Sequence, residues 1–182
     1  MGQGIVENIV PKTVMTFASA VVRGATLTSP QGGMMTYLKD VARVEVYDGT
    51  AWVTVASGTS TWKTITLGSG YAHDGNDNGT VQYRLVNLFG EPTLMFRGGV
   101  AITYNGPGGA IPNNGIINST LLPASLRPSE RRTIVVACST AASGETSLKF
   151  DVNTTGTLVL VGTNTTNTKP PWASLNGTFV SL

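Results

Sequence analysis

Hydrophobic and polar positions alternate along most of this chain with a period of two, and turn residues punctuate the alternation every ten residues or so, the pattern of short half-buried strands. In "MMTYLKD" and "ARVEVYDGTAWVTV", residues 34–55, the alternation predicts a hairpin with Val44, Val46 and Trp52 on shared faces and Asp48-Gly49 as the tight turn. "SPQGG" at 29–33 is a loop. Further strand-like runs follow in "TWKTITLG", "VQYRLVNLFG", "PTLMFRGGVAITY", "RTIVVACST", "TSLKFDVNTTGTLVLVG" and "WASLNGTFVSL". In the fifth, Leu148, Phe150 and Val152 face one way before a turn at Asn153 to Gly156 returns the chain through Leu158 and Leu160, a hairpin with one dry face. The last run predicts a second hairpin, with Asn176-Gly177 supplying the two positive φ values of a type I′ turn. No segment demands a helix, although "PSERR" at 128–132 could hold one turn.

The first 22 or so residues alternate without a turn signal before Gly24, which predicts an extended arm, and such arms need another chain to lie on. The small polar stretch "ASGTST" at 56–61 is the best boundary. The expected organisation is an arm and hairpin over residues 1–56 and a β-sandwich of the jelly-roll sort over 57–182.

Composition supports the β class, with 26 Thr beside 22 Gly and abundant Val. Charged residues make up only 12% and the net charge is +2, with the twelve Lys and Arg scattered, so the basic face that a nucleic-acid binder needs is not indicated. No apolar run reaches the ~20 residues of a transmembrane helix. "TVMTFASAVV" at 13–22 is short and interrupted for a signal peptide, and Val6 occupies the position where a myristoylation motif wants Ser or Thr, so a soluble protein that meets no export machinery is expected. The single Cys138, in "TIVVACST", reads as a buried small hydrophobe and has no partner for an internal disulfide.

Catalytic and metal chemistry find little foothold. His73 is the only histidine, which excludes two-histidine zinc sites, and it sits in "GYAHDGNDNG" without a nucleophile elbow nearby. It reads as an exposed or turn-capping residue. Asp74, Asn76, Asn78 and Gly79 match the opening of a calcium loop, but Leu85 stands where the bidentate Glu is required, so the segment reads as a turn and no metal or cofactor is expected. Among the ten acids, Asp74, Asp77 and Glu91 could be paired by folding, yet nothing marks them as a glycosidase pair. A polysaccharide depolymerase would need a long repeat-built groove, for which 182 residues leave little room, so no enzyme is expected. Tyr71, Tyr104, Trp62 and Trp172 are amphipathic aromatics near loop ends, where an exposed ring stacks on a sugar and a covered one packs a core or interface.

Several stretches resemble a known family. The run from Arg23 to Val53, "RGATLTSPQGGMMTYLKDVARVEVYDGTAWV", is similar to segments of tailed-phage tail fibres and other virion appendages. "WKTITLGSGY", "VQYR", "FRGGV", "LLPASLRP" and the closing "WASLNGTF" resemble, in that order, the head domains of phage receptor-binding and tail-fibre proteins. The resemblance implies a homotrimeric jelly-roll head carried by an N-terminal virion anchor and assembled in the host cytoplasm. The coiled-coil or collagen-like shaft of long fibres is missing, which implies a short appendage. The implied partners are two sister chains, other virion proteins of the tail tip, baseplate or capsid, and a host surface polysaccharide, with no nucleic acid and no membrane insertion. Tyr71, His73, Asp74, Tyr104 and Trp172 are then the candidate glycan contacts, and Met34, Tyr37, Leu38, Val46 and Trp52 the candidate trimer or virion anchors. A capsid decoration protein or head spike is the alternative within the same resemblance.

Overall fold

The computed structural model describes residues 14–57, 61–88, 90–105, 109–141 and 143–182. The protein is mostly β, and the described chain gathers into two compact units. One comprises the chain before Thr61 together with Val86–Pro92; the other comprises Thr61–Leu85 with Thr93–Leu182.

The first unit is a four-stranded sheet of β1 (Val14–Phe17), β2 (Met35–Leu38), β3 (Arg43–Tyr47) and β4 (Trp52–Ser57), in that order, with β1 parallel to β2. Parallel neighbours need a crossover, usually helical, and here it is α1 (Ala20–Thr26). This corrects the expected extended arm: residues 1–13 lie outside the described residues, 14–17 are a strand, and the chain then turns helical. Ser19 starts the helix by accepting a hydrogen bond from the Val22 backbone at 3.3 Å. The apolar alternation across this stretch misled because Val21 and Val22 stay exposed on the short helix.

Cross-strand register then sorts the faces. Thr36 lies opposite Glu45 and Leu38 opposite Arg43, whereas Met35 lies opposite Val46 and Tyr37 opposite Val44. Val46 in turn faces Val53, and Trp52 pairs with Tyr47, so Trp52 is on the opposite face from Val44 and Val46 and not on a shared one. The turn also shifts by one residue. Asp48 and Ala51 close it, its centre is Gly49-Thr50, and the Asp48 carboxylate accepts from both the Thr50 and Ala51 amides at 2.7 Å. Those two bonds hold the exposed Asp48 carboxyl below the usual carboxylate range.

A charge cluster lies inside this unit. Arg23, Thr36 and Glu45 are all buried; Arg23 donates from Nη1 to the Glu45 carboxylate and to Thr36 Oγ1 and stacks over Trp52 at 4.2 Å from the ring centroid. Arg43 reaches the other Glu45 oxygen at 2.7 Å.

The second unit contains β5 (Lys63–Thr64), β6 (Tyr71–His73), most of β7 (Gln82–Leu88) and β8 (Glu91–Arg97), then β9 (Gly99–Ile102), β10 (Arg132–Cys138), β11 (Ser147–Val152), β12 (Leu158–Val161), β13 (Trp172–Ser174) and β14 (Thr178–Ser181). Six strands form one sheet in the order β12-β11-β10-β13-β9-β6, and four form another in the order β14-β8-β7-β5. Both sheets feed one apolar cluster, in which Phe96 of β8 meets Phe150 of β11 edge to face with centroids 5.3 Å apart. The β11–β12 hairpin forms as the alternation predicts, with Leu148, Phe150, Val152, Leu158 and Leu160 all buried. Cys138 lies in the same core, and burial raises its thiol pKa.

The expected terminal hairpin does not form. β13 belongs to the six-stranded sheet and β14 to the four-stranded one, so Leu175 to Gly177 is a corner between sheets, and only Gly177 of the Asn-Gly pair has a positive φ. A second corner, Gly98, joins β8 to β9 alongside it. Leu175 N donates to Gly98 O at 2.9 Å, and Asn176 Oδ1 accepts from Gly98 N at 2.7 Å. Thus Asn176 is used to tie two corners together and not to reverse a hairpin. The helical turn expected at 128–132 falls instead at Ala124–Leu126, after Pro123, because Arg132 is already paired with Val152 at the start of β10. Among the described residues no helix is long and apolar enough to cross a membrane.

Candidate functional site

Of the five expected glycan contacts, three are engaged in holding the fold. Tyr71 is only 9% exposed; it pairs with the buried Ile102 and donates its hydroxyl to the Pro112 carbonyl at 2.7 Å. It therefore offers no ring face to a sugar, which corrects the expectation. Burial raises the Tyr71 phenol far above its ordinary pKa, with the neighbouring Tyr104 adding to the effect. Tyr104 is half-buried, donates to the Pro170 carbonyl at 3.1 Å, and is pushed up to about 12, by burial first and by Cys138 second. His73 is half-buried and its Nδ1 accepts from the Val81 amide at 3.2 Å, a turn-capping role.

Asp74 is exposed at φ 66°, and its Oδ1 accepts from the Gly79 amide at 2.8 Å. Asn78 Nδ2 donates to the Gly75 and Asn76 carbonyls. The Asp74 and Asn78 side chains, two of those that matched a calcium loop, are thus bonded to their own loop's backbone. Trp172 is half-buried and stands opposite Ala101, which also pairs with Ala72; these three share the face of the sheet away from Tyr71 and Ile102. The five candidates do not converge on one patch.

The anchoring candidates divide similarly. Met34 and Leu38 are buried within the first unit, Leu38 completely, so neither presents a docking surface. Tyr37 and Val46 stand half-buried on one face of the sheet, and Trp52 is half-buried on the other beneath Arg23.

The described residues do converge elsewhere, on the outer face of the β14-β8-β7-β5 sheet. Val81 and Tyr83 point inward and Gln82 and Arg84 outward; on β8, Leu94 and Phe96 point inward and Met95 and Arg97 outward. Trp62, just before β5, is half-buried against the outward set and not in the core. The Arg84 guanidinium lies 4.5 Å and the Arg97 guanidinium 4.2 Å from its ring centroid. Arg97 Nε donates to Gln82 Oε1 at 2.8 Å, and Gln82 Nε2 donates to Thr64 Oγ1 at 3.3 Å. Beside Arg97 opens a shallow pocket of about 330 Å³ lined by Asn78, Gly79, Thr80, Gln82 and Arg97. It brings together a planar cation beside an indole, two side-chain amides and a hydroxyl.

Sequence reading passed over this face although its signal was present. "VQYR" and "LMFR" each alternate apolar and polar positions and end on Arg, but which two strands become neighbours, and that Trp62 joins them, depends on the sheet order. No protein-family model, curated protein or solved structure matches this chain.

Proposed function

We propose that this chain is a structural virion protein of a tailed phage, a tail-fibre or receptor-binding protein that adheres to host surface polysaccharide. In this reading the second unit is the jelly-roll-like head, the first unit carries the virion attachment, and three chains assemble into a short appendage. The single observation that carries the reading is the outer face at Trp62, Arg84, Arg97 and Gln82, where aromatic, guanidinium and amide groups border a shallow polar pocket. Such a site binds one sugar weakly, and attachment follows from multiplication over the copies in a trimer and the trimers on a particle. Val135, 70% exposed on β10, and Phe179, 56% exposed on β14, add apolar surface of the kind that sister chains cover.

Immunogold labelling of intact particles with antibody to the whole chain tests the assignment. Gold at the tail tip or baseplate is the expected result. Gold spread over the head would overturn the adhesin reading in favour of a capsid decoration protein or head spike, and unlabelled particles would overturn a virion role altogether. Sedimentation of the purified chain should give one trimeric species, and a monomer would refute the trimer.

A further inference from the structure

Resting on the adhesin reading, we propose that Arg97, oriented by Gln82 and Trp62, is an oxyanion subsite, so that the polysaccharide recognised is an acidic one bearing carboxylate or phosphate groups. A guanidinium stacked on an aromatic ring keeps its N–H donors in the ring-parallel plane, where they can meet the two oxygens of a carboxylate or phosphate side by side. The Arg97 Cζ lies 4.2 Å from the Trp62 ring centroid, so the indole buttresses the guanidinium. The 2.8 Å bond from Nε to Gln82 fixes its rotation, and Gln82 is itself held by Thr64. The ordering cost of a long arginine is thereby met before any ligand arrives.

Among the described residues no ion pair or further hydrogen bond engages Arg97, so both Nη groups remain as donors at the pocket. Arg84, over the same ring, adds a second positive charge, its Nη2 donating to the Met95 sulfur at 3.4 Å. A neutral sugar finds Trp62 already engaged by two guanidinium groups, whereas an anion finds an oriented fork. The far wall is also held in place: the Asn78 side chain bonds the loop at Gly75 and Asn76 and receives Asn176 Nδ2 at 3.2 Å, while Thr80 is exposed beside it to meet a sugar hydroxyl.

The test is a titration of the full-length protein followed by NMR of the Trp62 indole N–H and the Arg97 Nε–H. Glucuronate serves as the carboxylate probe, glucose 1-phosphate as the phosphate probe, and glucose as the neutral control. At least one acid is expected to move both resonances while glucose moves neither, and which acid does so distinguishes a uronic acid source from a phosphorylated one. Arg97→Gln should abolish the response. Arg97→Lys, which keeps the charge and loses the fork, should weaken it about tenfold, as should Gln82→Ala, while Arg131→Gln, removing an exposed cation elsewhere, should leave it unchanged. Silence toward both acids at about 10 mM, tenfold above a millimolar Kd, would overturn the proposal, as would equal losses from Arg97→Gln and Arg131→Gln. Host-cell binding separates this from the broader reading. If the wild type binds cells and Arg97→Gln binds equally well, the subsite is wrong and the adhesin stands; if the wild type binds no host cell, the adhesin reading itself fails.

Discussion

Replacing Glu45 with glutamine should lower the stability of the first unit by about 3 kcal/mol. The carboxylate is 3% exposed and answers two arginines: Arg23, 7% exposed, and Arg43, whose side chain is 35% exposed. The two halves of the cluster are worth very different amounts. The Arg43 side chain is 35% exposed, so solvent screens its pair, which contributes about 1 kcal/mol. Arg23 is not so screened: without the carboxylate its guanidinium keeps only the Thr36 hydroxyl and the face of Trp52, and its Nε is already buried without a partner. Breaking a buried pair on one side costs about 3–5 kcal/mol, because the cost of desolvating the surviving charge is no longer offset. The glutamine amide can still accept one bond, which places the expected loss near the lower end, ~3 kcal/mol. That is a large share of the ~5–15 kcal/mol that stabilises a whole domain. Hydrogen exchange of the β2 to β4 amides reads the opening free energy of this unit without requiring the rest of the chain to unfold. The paired variant Arg23→Met with Glu45→Met should be more stable than Glu45→Gln alone, since removing both charges removes the desolvation cost. A change below about 1 kcal/mol in Glu45→Gln, the scale of a surface pair, would show that the cluster is solvated. A double variant as weak as the single one would refute the charge-based explanation.

Two further outcomes follow from backbone and titration. Gly98 sits at φ 101° with the Thr80 carbonyl where a Cβ would go, so Gly98→Ala should lower stability by at least about 2 kcal/mol in chemical denaturation; Gly24, in α1 with open space around it, should instead gain about 0.5–1 kcal/mol as alanine, and equal effects at the two sites would contradict the corner geometry. Tyr71 and Tyr104 have folded-state pKa values raised above the ordinary 10, Tyr104 to about 12, so their contribution to stability is complete below pH 10 and is lost as pH rises through the folded values. Absorbance at 295 nm, with Tyr71→Phe and Tyr104→Phe to identify the two contributions, should therefore show Tyr71 and Tyr104 ionising late, and ionisation of either near pH 10 with the fold intact would refute its burial.

What the sequence determined by itself was local. Strand periodicity marked most of the strands, and the β11–β12 hairpin was fully legible because its five apolar residues and its turn lie within fifteen consecutive positions. The capping role of His73, the ordinary turn at Asp74 to Gly79, and the burial of Cys138 were legible for the same reason, each depending on near neighbours or on its own apolar run. The tertiary structure decided whatever depended on a distant partner. "WASLNGTFVSL" alternates as a hairpin does, yet its halves pair with β9 and β10 on one side and β8 on the other, since Asn176 bonds a glycine 78 positions away. Tyr71 looked as free as any loop-end aromatic until register set it against Ile102 and Pro112. The helical crossover from β1 was hidden because only parallel pairing with β2 requires it. The face at Trp62 and Arg97 comes from three strands, β5, β7 and β8, whose alternation says that some side chains point outward, while the order of the sheet alone says which of them meet.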